Sequence, residues 1–359
     1  MNLSELIKQR LHNQRIAGAG LETAHAVVAW HGAVQAQDYL GALWAVGLRM
    51  KQAVESGVEQ ALADRTIVRT WPMRGTLHFV PAEDVRWMLT LLTPKVIAGS
   101  ARRHAELGLD EATFARSREV FARALQGGAQ FTRAEMGAVL EAAGIATVGQ
   151  RLYHILWRLG QDGLICFGVR QGKQQTFVLL DEWLPATRHL ARDEALAELA
   201  RRYMTSHGPA TDRDFARWTG LTLSEARAGL QRAAPGLVQQ EIDGQTFWQA
   251  SSAMATTGDA LTAAWLLPAY DEYTVGYTDR SALLDADGEK YVKAGHSILL
   301  PAVVVGGKVV GTWRRTAGKR GVVVELNLFT PLSTDDRQLV EAAAERYGAF
   351  LGLSAQVTG

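Results

Sequence analysis

The feature that most constrains the fold is one order of elements that occurs three times along the chain. In each occurrence, helices with a regular apolar face lead into two strands of alternating apolar residues around a tight turn. The turns are predicted at 73–75, at 171–173 and at 243–244. Helices closed by a β-hairpin make up the winged-helix plan, a relative of the helix-turn-helix. The sequence therefore predicts three such units in succession.

The chain changes character after Thr256, where helical spacing gives way to runs of β-branched and apolar residues. Gly306-Gly307, between two of these runs, is typical of a two-residue hairpin turn. Asp335 to Leu351 then closes the chain as an amphipathic helix. We therefore predict an α+β fold with three tandem winged-helix domains followed by a small C-terminal β-barrel or curved sheet.

These patterns divide the 359 residues into five predicted segments. They are winged-helix domains over 1–95, 129–185 and 186–255, a helical linker over 96–128, and a β-barrel domain with a C-terminal helix over 256–359. No basic segment followed by an apolar run opens the chain, and no apolar stretch approaches the ~20 residues that span a bilayer. We expect a cytoplasmic monomer without membrane contact.

The charges are nearly balanced, with 38 Lys and Arg against 37 Asp and Glu and a formal net charge of +1. No general affinity for polyanions follows, so any nucleic-acid surface has to arise from local clusters. A single basic cluster is more often a solvated face than a binding patch. Two clusters here lie beside Trp71 or Trp313, and arginine with an aromatic ring suits phosphate contact and base stacking. The clusters are Arg65, Arg69 and Arg74; Arg102, Arg103 and His104; and Arg314, Arg315, Lys319 and Arg320.

Two glutamines, Gln35 and Gln37, lie in an otherwise apolar segment. We expect this segment to be largely out of water. A buried amide without hydrogen-bond partners costs about 1–3 kcal/mol, so both glutamine amides need a partner or a function there. A helix is predicted to end at His31, and Asp38 is placed to N-cap the next one, which puts both glutamines at a junction. In an extended junction, both amides point to the same side. Glutamines that merely satisfy helix ends are the alternative, favoured by roughly two to one on this segment alone.

Several familiar kinds of site are absent from the sequence. The nine histidines show no HxxxH or HxH spacing, and the single cysteine, Cys166, excludes disulfides and cysteine-ligated zinc, so we expect neither metal nor cofactor. The segment 270–273, Tyr-Asp-Glu-Tyr, follows an apolar strand, where functional loops often lie. Turn formation and N-capping explain the two carboxylates as well as a functional loop does, and we favour this structural role by about two to one. His78 alternates with apolar residues on a predicted strand, which favours a structural histidine over a general base.

Four segments have to be considered together: GAVQAQDY at 32–39, RTWPMRGTLH at 69–78, PAYDEY at 268–273 and GTWRR at 311–315. In this order, over nearly the whole chain, they resemble the AlkZ/YcaQ superfamily of bacterial DNA glycosylases. That resemblance implies three tandem winged-helix domains and a C-terminal β-barrel. The family's catalytic signature, a glutamine, an aliphatic residue and then a glutamine or aspartate, falls on Gln35, Ala36 and Gln37. Because Gln37 takes the last position, the chain is similar to the AlkZ-like branch.

The resemblance implies a DNA repair enzyme that acts on duplex DNA containing alkylated or crosslinked purines. Family members remove cationic N-alkylated purines, and some open crosslinks tethered through guanine N7. Because N7 alkylation makes the base cationic, the base leaves as a neutral group and needs no general acid. The enzyme then has to hold water against C1′ and stabilise an oxocarbenium-like sugar. Gln37 is expected to position that water, and Gln35 to contact the sugar or the same water.

The residues expected to contact phosphate are Arg69, Arg74, Arg314, Arg315 and Lys319, with His78 nearby. No lysine adjoins the glutamine motif to form a Schiff base, so the reaction should be monofunctional and leave an abasic site. Such a protein is expected to be nucleoid-associated. The alternative is a non-catalytic winged-helix DNA-binding or scaffolding protein, and a weaker third is a small-molecule binder centred on the barrel.

Overall fold

Residues 2–184, 186–242, 244–252 and 260–359 are described by the computed structural model. Contacts between residues divide the chain into two units. The terminal unit consists of Met1–Glu59 and Leu196–Gly359, and the central unit of Gln60–Ala195. Within the four described ranges, no helix is both long and apolar enough to cross a bilayer.

The N-terminal part of the terminal unit is built from short, well-capped helices. Its elements are α1 (Leu3–Asn13), α2 (Ala24–His31), β1 (Val34–Gln35), α3 (Tyr39–Gly47) and α4 (Glu55–Ala63), the last of which continues into the central unit. A capping box between Asn2 and Glu5 starts α1, and the Thr23 side chain caps α2. α2 ends at Gly32, whose φ of +80° is rarely adopted by residues with a side chain. The chain therefore turns sharply from α2 into β1.

The central unit starts with a hairpin and continues as helices around a second hairpin. Its elements are β2 (Ile67–Met73), β3 (Thr76–Pro81), α5 (Val85–Gly99), α6 (Ala101–Glu106), α7 (Glu111–Ala124), β4 (Phe131–Thr132), α8 (Arg133–Ala142), α9 (Arg151–Gln161), β5 (Ile165–Phe167), β6 (Thr176–Leu179) and α10 (Leu180–Trp183). β2 pairs antiparallel with β3, and β6 pairs antiparallel with both β4 and β5. α11 (Arg192–Ser206) leads from this unit into the terminal unit.

One apolar core fixes the first hairpin of the central unit against its helices. Its buried members include Trp71, Phe114, Phe121, Trp157 and Phe167. The ring of Trp71 lies directly over the Cα of Gly160 in α9, where any side chain would collide with it. Trp157 donates from Nε1 to the carbonyl oxygen of Gly75 at 2.9 Å, so α9 also holds the β2–β3 turn. The hairpin is therefore an integral part of this core.

The rest of the terminal unit contains further helices, a hairpin and the C-terminal sheet. Its elements after α11 are α12 (Asp212–Thr219), α13 (Leu223–Ala233), β7 (Leu237–Ile242), β8 (Gln245–Ala250), β9 (Ala264–Leu267), α14 (Glu272–Val275), α15 (Ala286–Lys293), β10 (Ala302–Val305), β11 (Lys308–Ala317), β12 (Gly321–Leu328), α16 (Thr334–Leu351) and β13 (Ser354–Thr358). β7 and β8 pair antiparallel over their full length.

The C-terminal sheet has the order β13-β12-β11-β10-β9. Neighbouring strands are antiparallel except β12 and β13, which are parallel. Two tryptophan Nε1 groups donate to carbonyl oxygens of β9: Trp44 of α3 to Leu266 at 2.7 Å and Trp313 of β11 to Leu267 at 2.8 Å. The ring of Tyr347 in α16 lies edge-on to both tryptophans. α3, which directly follows the glutamines, is therefore anchored to this sheet.

The α+β fold and the curved C-terminal sheet are confirmed. The predicted hairpins are present as β2–β3, β5–β6 and β7–β8, while their assignment to three winged-helix domains with the predicted boundaries stays a prediction. Pro185, Asp243 and Thr256, which mark predicted boundaries or a turn, lie outside the described residues. The predicted linker over 96–128 is helical, and its aromatic residues belong to the central core. β13 adds a strand that the sequence pattern did not predict.

Candidate active site at the glutamine junction

The two glutamines lie between α2 and α3, at the predicted junction. Gln35 is half-buried at the end of β1, Ala36 is buried, and Gln37 is exposed. Gln35 lies in the strand and the chain bends at Gln37, so the expectation that both amides point to the same side stays a prediction. The expectation that the segment is largely out of water holds for Ala36 and is wrong for Gln37. An exposed amide at this position is accessible to a bound substrate.

Asp38 occupies the N-cap position of α3, but its side chain accepts no capping hydrogen bond. The prediction that Asp38 caps this helix through its carboxylate is therefore wrong. The carboxylate lies instead beside Gly41, where the missing side chain leaves room for it. It lines a cavity there together with Trp313 and Arg315.

Beneath Gln35 lies the buried carboxylate of Glu272, the first residue of α14. The backbone N–H of Gln35 donates to Oε1 of Glu272 at 2.9 Å. Trp218 donates from Nε1 to Oε2 at 2.8 Å, and Nε2 of His207 lies 3.3 Å from the same oxygen. The main chain at the first glutamine is therefore attached to a buried polar network within the terminal unit.

Asp271 has both the predicted local role and a tertiary one. Its carboxylate caps α14 by accepting from the N–H of Tyr273 at 2.9 Å, which confirms N-capping. The same carboxylate pairs with Arg49, whose Nη1 and Nη2 donate to its two oxygens at 2.8 Å each. Both side chains of this ion pair are buried. The sequence analysis predicted neither this pair nor the Glu272 contact. The available signal was two adjacent carboxylates shortly after a wholly buried strand, because buried charges need partners.

His31, the last residue of α2, is buried beside this network. Its Nδ1 lies 3.0 Å from the carbonyl oxygen of Val27, so Nδ1 carries the proton and Nε2 the lone pair. Burial, followed by the charge of Arg49, holds the pKa of His31 well below the usual 6.5. Its ring lies edge-on to His207 with 5.7 Å between the centroids. His31 is therefore a neutral packing residue at neutral pH.

Two adjoining cavities of the terminal unit lie over the C-terminal sheet, and the first of them reaches Asp38, the residue after Gln37. The first is lined by Asp38 together with Trp313, Arg314 and Arg315. The second, of about 530 Å³, shares Trp313 and Arg314 with it and extends over Glu325. A concave surface therefore leads from the residue after Gln37 across β11 and β12.

The basic residues of β11 and its turn border this surface or lie close to it in sequence. Arg314 is exposed and donates to both carboxylate oxygens of Glu325, its cross-strand neighbour, at 2.9 and 2.6 Å. Arg315 is half-buried and donates to the hydroxyl of Tyr347. Lys319 is exposed in the turn between β11 and β12. The structure thus brings Arg314 and Arg315 together with the segment that carries the glutamines.

Arg69, Arg74 and His78 belong to the β2–β3 hairpin of the central unit. Arg69 is 6% exposed, and its guanidinium lies over the ring of Phe167, 4.8 Å from the centroid. His78 is buried, with Nδ1 3.0 Å from the carbonyl oxygen of Thr76 and Nε2 3.3 Å from Nη2 of Arg74. His78 is thus hydrogen-bonded within its own hairpin. Arg69 presents little surface to a phosphate, and DNA contact by these three residues stays a prediction.

Other reactive chemistry is sparse in the part of the chain that the structure describes. No group of three or more His, Cys, Asp or Glu is arranged to hold a metal ion among these residues. Cys166 is buried, and burial raises the pKa of its thiol far above the usual value. The thiol is therefore a packing group with negligible nucleophilic character at neutral pH.

Comparisons with known proteins identify relatives along the whole chain. A family model described as DNA glycosylase AlkZ-like matches residues 28–350, which include the glutamine pair. The interstrand DNA cross-link repair glycosylase of Streptomyces sahachiroi is 26% identical over 374 residues, covering 97% of this chain and 95% of that protein. The solved structure of Streptomyces sahachiroi DNA glycosylase AlkZ matches with a TM-score of 0.79 and 23% identity, covering 100% of both chains. The last comparison shows a shared fold.

Proposed function

Because this chain belongs to the AlkZ-like family of DNA glycosylases, we propose that it hydrolyses the N-glycosidic bond of cationic N7-alkylated purines in duplex DNA. One observation carries this proposal: Gln37 is exposed at the junction between β1 and α3, and the main chain two residues before it, at Gln35, is held by the buried Glu272. A fixed backbone with an exposed amide is what positioning a small nucleophile requires. The proposed enzyme is a monomer that needs neither metal nor cofactor.

Neutral glutamine side chains are sufficient for this reaction, because a cationic base is already a good leaving group and needs no general acid. When the C1′–N9 bond breaks, its electron pair goes to the base and neutralises the positive charge that N7 alkylation created. Water then adds to the oxocarbenium-like C1′ and loses a proton to solvent. We assign Gln37 to positioning this water by accepting a hydrogen bond from it, and Gln35 to the sugar or to the same water.

The reaction is proposed to be monofunctional, leaving an abasic site and an intact backbone. Cleavage by a bifunctional glycosylase requires an amine that forms a Schiff base at C1′. Lys51 is the nearest lysine in sequence to the motif; it lies beyond the far end of α3 and pairs with Glu22. Water is therefore the proposed nucleophile.

DNA binding is proposed to use the concave surface of the terminal unit, where Arg314, Arg315 and Lys319 contact phosphate. The cavity shared by Asp38 and the two arginines supports this assignment. Contacts from Arg74 and His78 remain part of the proposal, whereas the buried Arg69 is assigned to packing on Phe167. Because the net charge is only +1, these local cations have to supply the electrostatic attraction, and binding should weaken steeply with salt.

The proposed substrate range includes guanines crosslinked through N7, because a relative over nearly the full length is named for interstrand crosslink repair. A crosslinked base cannot easily rotate into a closed pocket, so an open surface suits this substrate. We further propose that the three helix-and-hairpin segments, at 1–95, 129–185 and 186–255, are winged-helix domains that grip the duplex. The helix order before β7 and β8, namely α11, α12 and α13, supports the third of them.

The decisive assay for this proposal is release of N7-methylguanine from methylated duplex DNA. We expect free N7-methylguanine and an equal number of abasic sites, with no strand break until alkali is added. An equimolar unmethylated duplex serves as the control. Tight binding of methylated DNA without base release would instead support the alternative, a non-catalytic DNA-binding or scaffolding protein.

A further inference from the structure

The backbone N–H of Gln35 donates to a side chain 237 positions further along the chain, the carboxylate of Glu272. This carboxylate is 1% exposed, so it has exchanged nearly all its water for protein donors. Burying a carboxylate carries a large desolvation cost that a helix start alone does not require. The contact with Gln35 therefore points to a role in holding the main chain at this glutamine in place.

The donors around Glu272 leave little freedom for its orientation. The Gln35 N–H and the Trp218 Nε1–H can only donate, and they reach different oxygens of the carboxylate, at 2.9 and 2.8 Å. His207 is a further neighbour of the carboxylate, with Nε2 3.3 Å from Oε2, while its Nδ1 lies 2.8 Å from the hydroxyl oxygen of Ser206. Each donor is a single rigid group, so the carboxylate and the Gln35 peptide are fixed relative to each other.

The carboxylate and its partners come from separate elements that meet at the junction. His207 directly follows α11, Trp218 lies in α12, and Glu272 starts α14. The preceding carboxylate, Asp271, pairs with Arg49, which lies just beyond the end of α3. Adjacent carboxylates thus attach to Gln35, the first residue of the motif, and to the chain after α3. Gln37 lies between these two attachment points.

We propose that Glu272 is a positioning residue for base release, acting through the Gln35 main chain and oriented by Trp218 and His207. This inference rests on the proposed function, in which Gln35 and Gln37 hold the sugar and the water. Glu272 is buried and is not expected to touch DNA, so its effect should fall on the rate of the chemical step and not on affinity.

The primary test is Glu272→Gln, which keeps the volume of the side chain but gives it one acceptor oxygen in place of two. Its NH₂ group would then face either Gln35 N–H or Trp218 Nε1–H, and two donors cannot bond to each other. We expect single-turnover release of N7-methylguanine to fall by about 10-fold or more, because misplacement by a fraction of an ångström is costly for a positioned reactant. The dissociation constant for the duplex should stay within about two-fold of wild type.

A second readout follows the hydrogen bond itself, without any activity. Hydrogen–deuterium exchange at the Gln35 amide, measured with overlapping peptides, should be slow in the wild type and at least about 10-fold faster in Glu272→Gln. Trp218→Phe is the second variant, since it removes one orienting donor and leaves the carboxylate. It should also accelerate exchange at Gln35 and slow base release, each by less than Glu272→Gln. It keeps the proposal testable if Glu272→Gln does not fold.

Coupling to the motif separates positioning from general damage. In a Gln37→Ala background, Glu272→Gln should cost little further activity, because the water that it helps to place is no longer held. The proposal would be overturned if Glu272→Gln lowered the rate of base release by the same factor in both backgrounds. A folded Glu272→Gln protein that releases the base at the wild-type rate would overturn it too. Unchanged exchange at Gln35 in that variant would do the same.

The same experiment distinguishes this inference from the proposed function. If Gln37→Ala no longer releases the base while Glu272→Gln releases it at the wild-type rate, only the role of Glu272 is wrong. If Gln37→Ala releases the base as fast as wild type, the proposed function fails and the role of Glu272 fails with it.

Discussion

Two hairpins of this protein carry an arginine near a tryptophan, yet Arg69 of the first and Arg314 of the second are in opposite environments. In β2 of the central unit all seven residues are buried, and Arg69 lies over Phe167. In β12, which pairs with β11 in the terminal unit, alternate residues are buried, and the cross-strand pair of Arg314 and Glu325 projects outward. The first hairpin is thus enclosed by its own unit, whereas the second has a solvent-facing surface.

This difference shows what an arginine-tryptophan pattern can and cannot indicate. Both hairpins alternate in sequence, and alternation specifies two faces without specifying what covers the second one. In the central unit, α9 covers it: Trp71 lies on Gly160, and Trp157 holds the turn at Gly75. In the terminal unit, Trp313 packs inward against Tyr347 and leaves its neighbour Arg314 in solvent. We therefore expect stability effects from the first hairpin and binding effects from the second.

The largest expected effect is on stability, from Trp71→Ala. Removing a buried indole against a glycine leaves a cavity that α9 cannot fill, so the free energy of unfolding should fall by about 3–5 kcal/mol. Urea denaturation followed by far-ultraviolet circular dichroism measures it. A loss under about 1 kcal/mol would mean that the first hairpin is not part of the core and would break the comparison.

The next effect is on binding, from the double variant Arg314→Ala with Arg315→Ala. We expect the dissociation constant for duplex DNA to rise by about 10-fold or more, and the slope of log affinity against log salt to fall by about 2. Fluorescence anisotropy over a salt series gives both quantities. At saturating protein, base release should be nearly unchanged, because these residues act on binding.

Arg69→Gln is the matched control from the enclosed hairpin. It should lower the unfolding free energy by about 1–2 kcal/mol through lost packing on Phe167, and leave the salt slope unchanged. If Arg69→Gln lowered the salt slope by about 1 with no loss of stability, Arg69 would be a phosphate contact after all, and the two hairpins would be equivalent.

The smallest effect is expected from Glu325→Gln. Glu325 accepts two hydrogen bonds from the guanidinium of Arg314 and adds a negative charge to the surface that is proposed to bind DNA. Removing the charge should strengthen DNA binding by about two- to five-fold at low salt, since exposed ion pairs are weak and screened. The same anisotropy assay checks this. Weaker binding by Glu325→Gln would indicate that the pair itself holds Arg314 in its binding position.

Much of the local structure could be predicted from the sequence because its causes are local. The Gly306-Gly307 turn is present as predicted, since it depends on adjacent residues. The capping box of Thr132 and Glu135, which starts α8, is equally local. The glutamine junction was predictable for the same reason. β13 was not, because Ser354–Thr358 becomes a strand only by pairing in parallel with β12.

The support of the candidate site could not be predicted in this way. Gln35 and Glu272 meet only when β1 and α14 fold together, and the same holds for Arg49 and Asp271. Asp38 had the right residue type for a cap, yet its carboxylate lies beside Gly41. Local patterns predict which residues start helices and turns, whereas the partners of buried charges depend on tertiary packing.

The most direct test of the central claim is the single-turnover rate of N7-methylguanine release by Gln37→Ala. With Gln52→Ala as an exposed-glutamine control, we expect Gln37→Ala to release the base about 10²-fold more slowly than wild type, the loss typical of a missing positioning group. Its affinity for the duplex should be unchanged. A folded, DNA-bound Gln37→Ala protein that releases the base as fast as wild type would show that Gln37 does not position the attacking water.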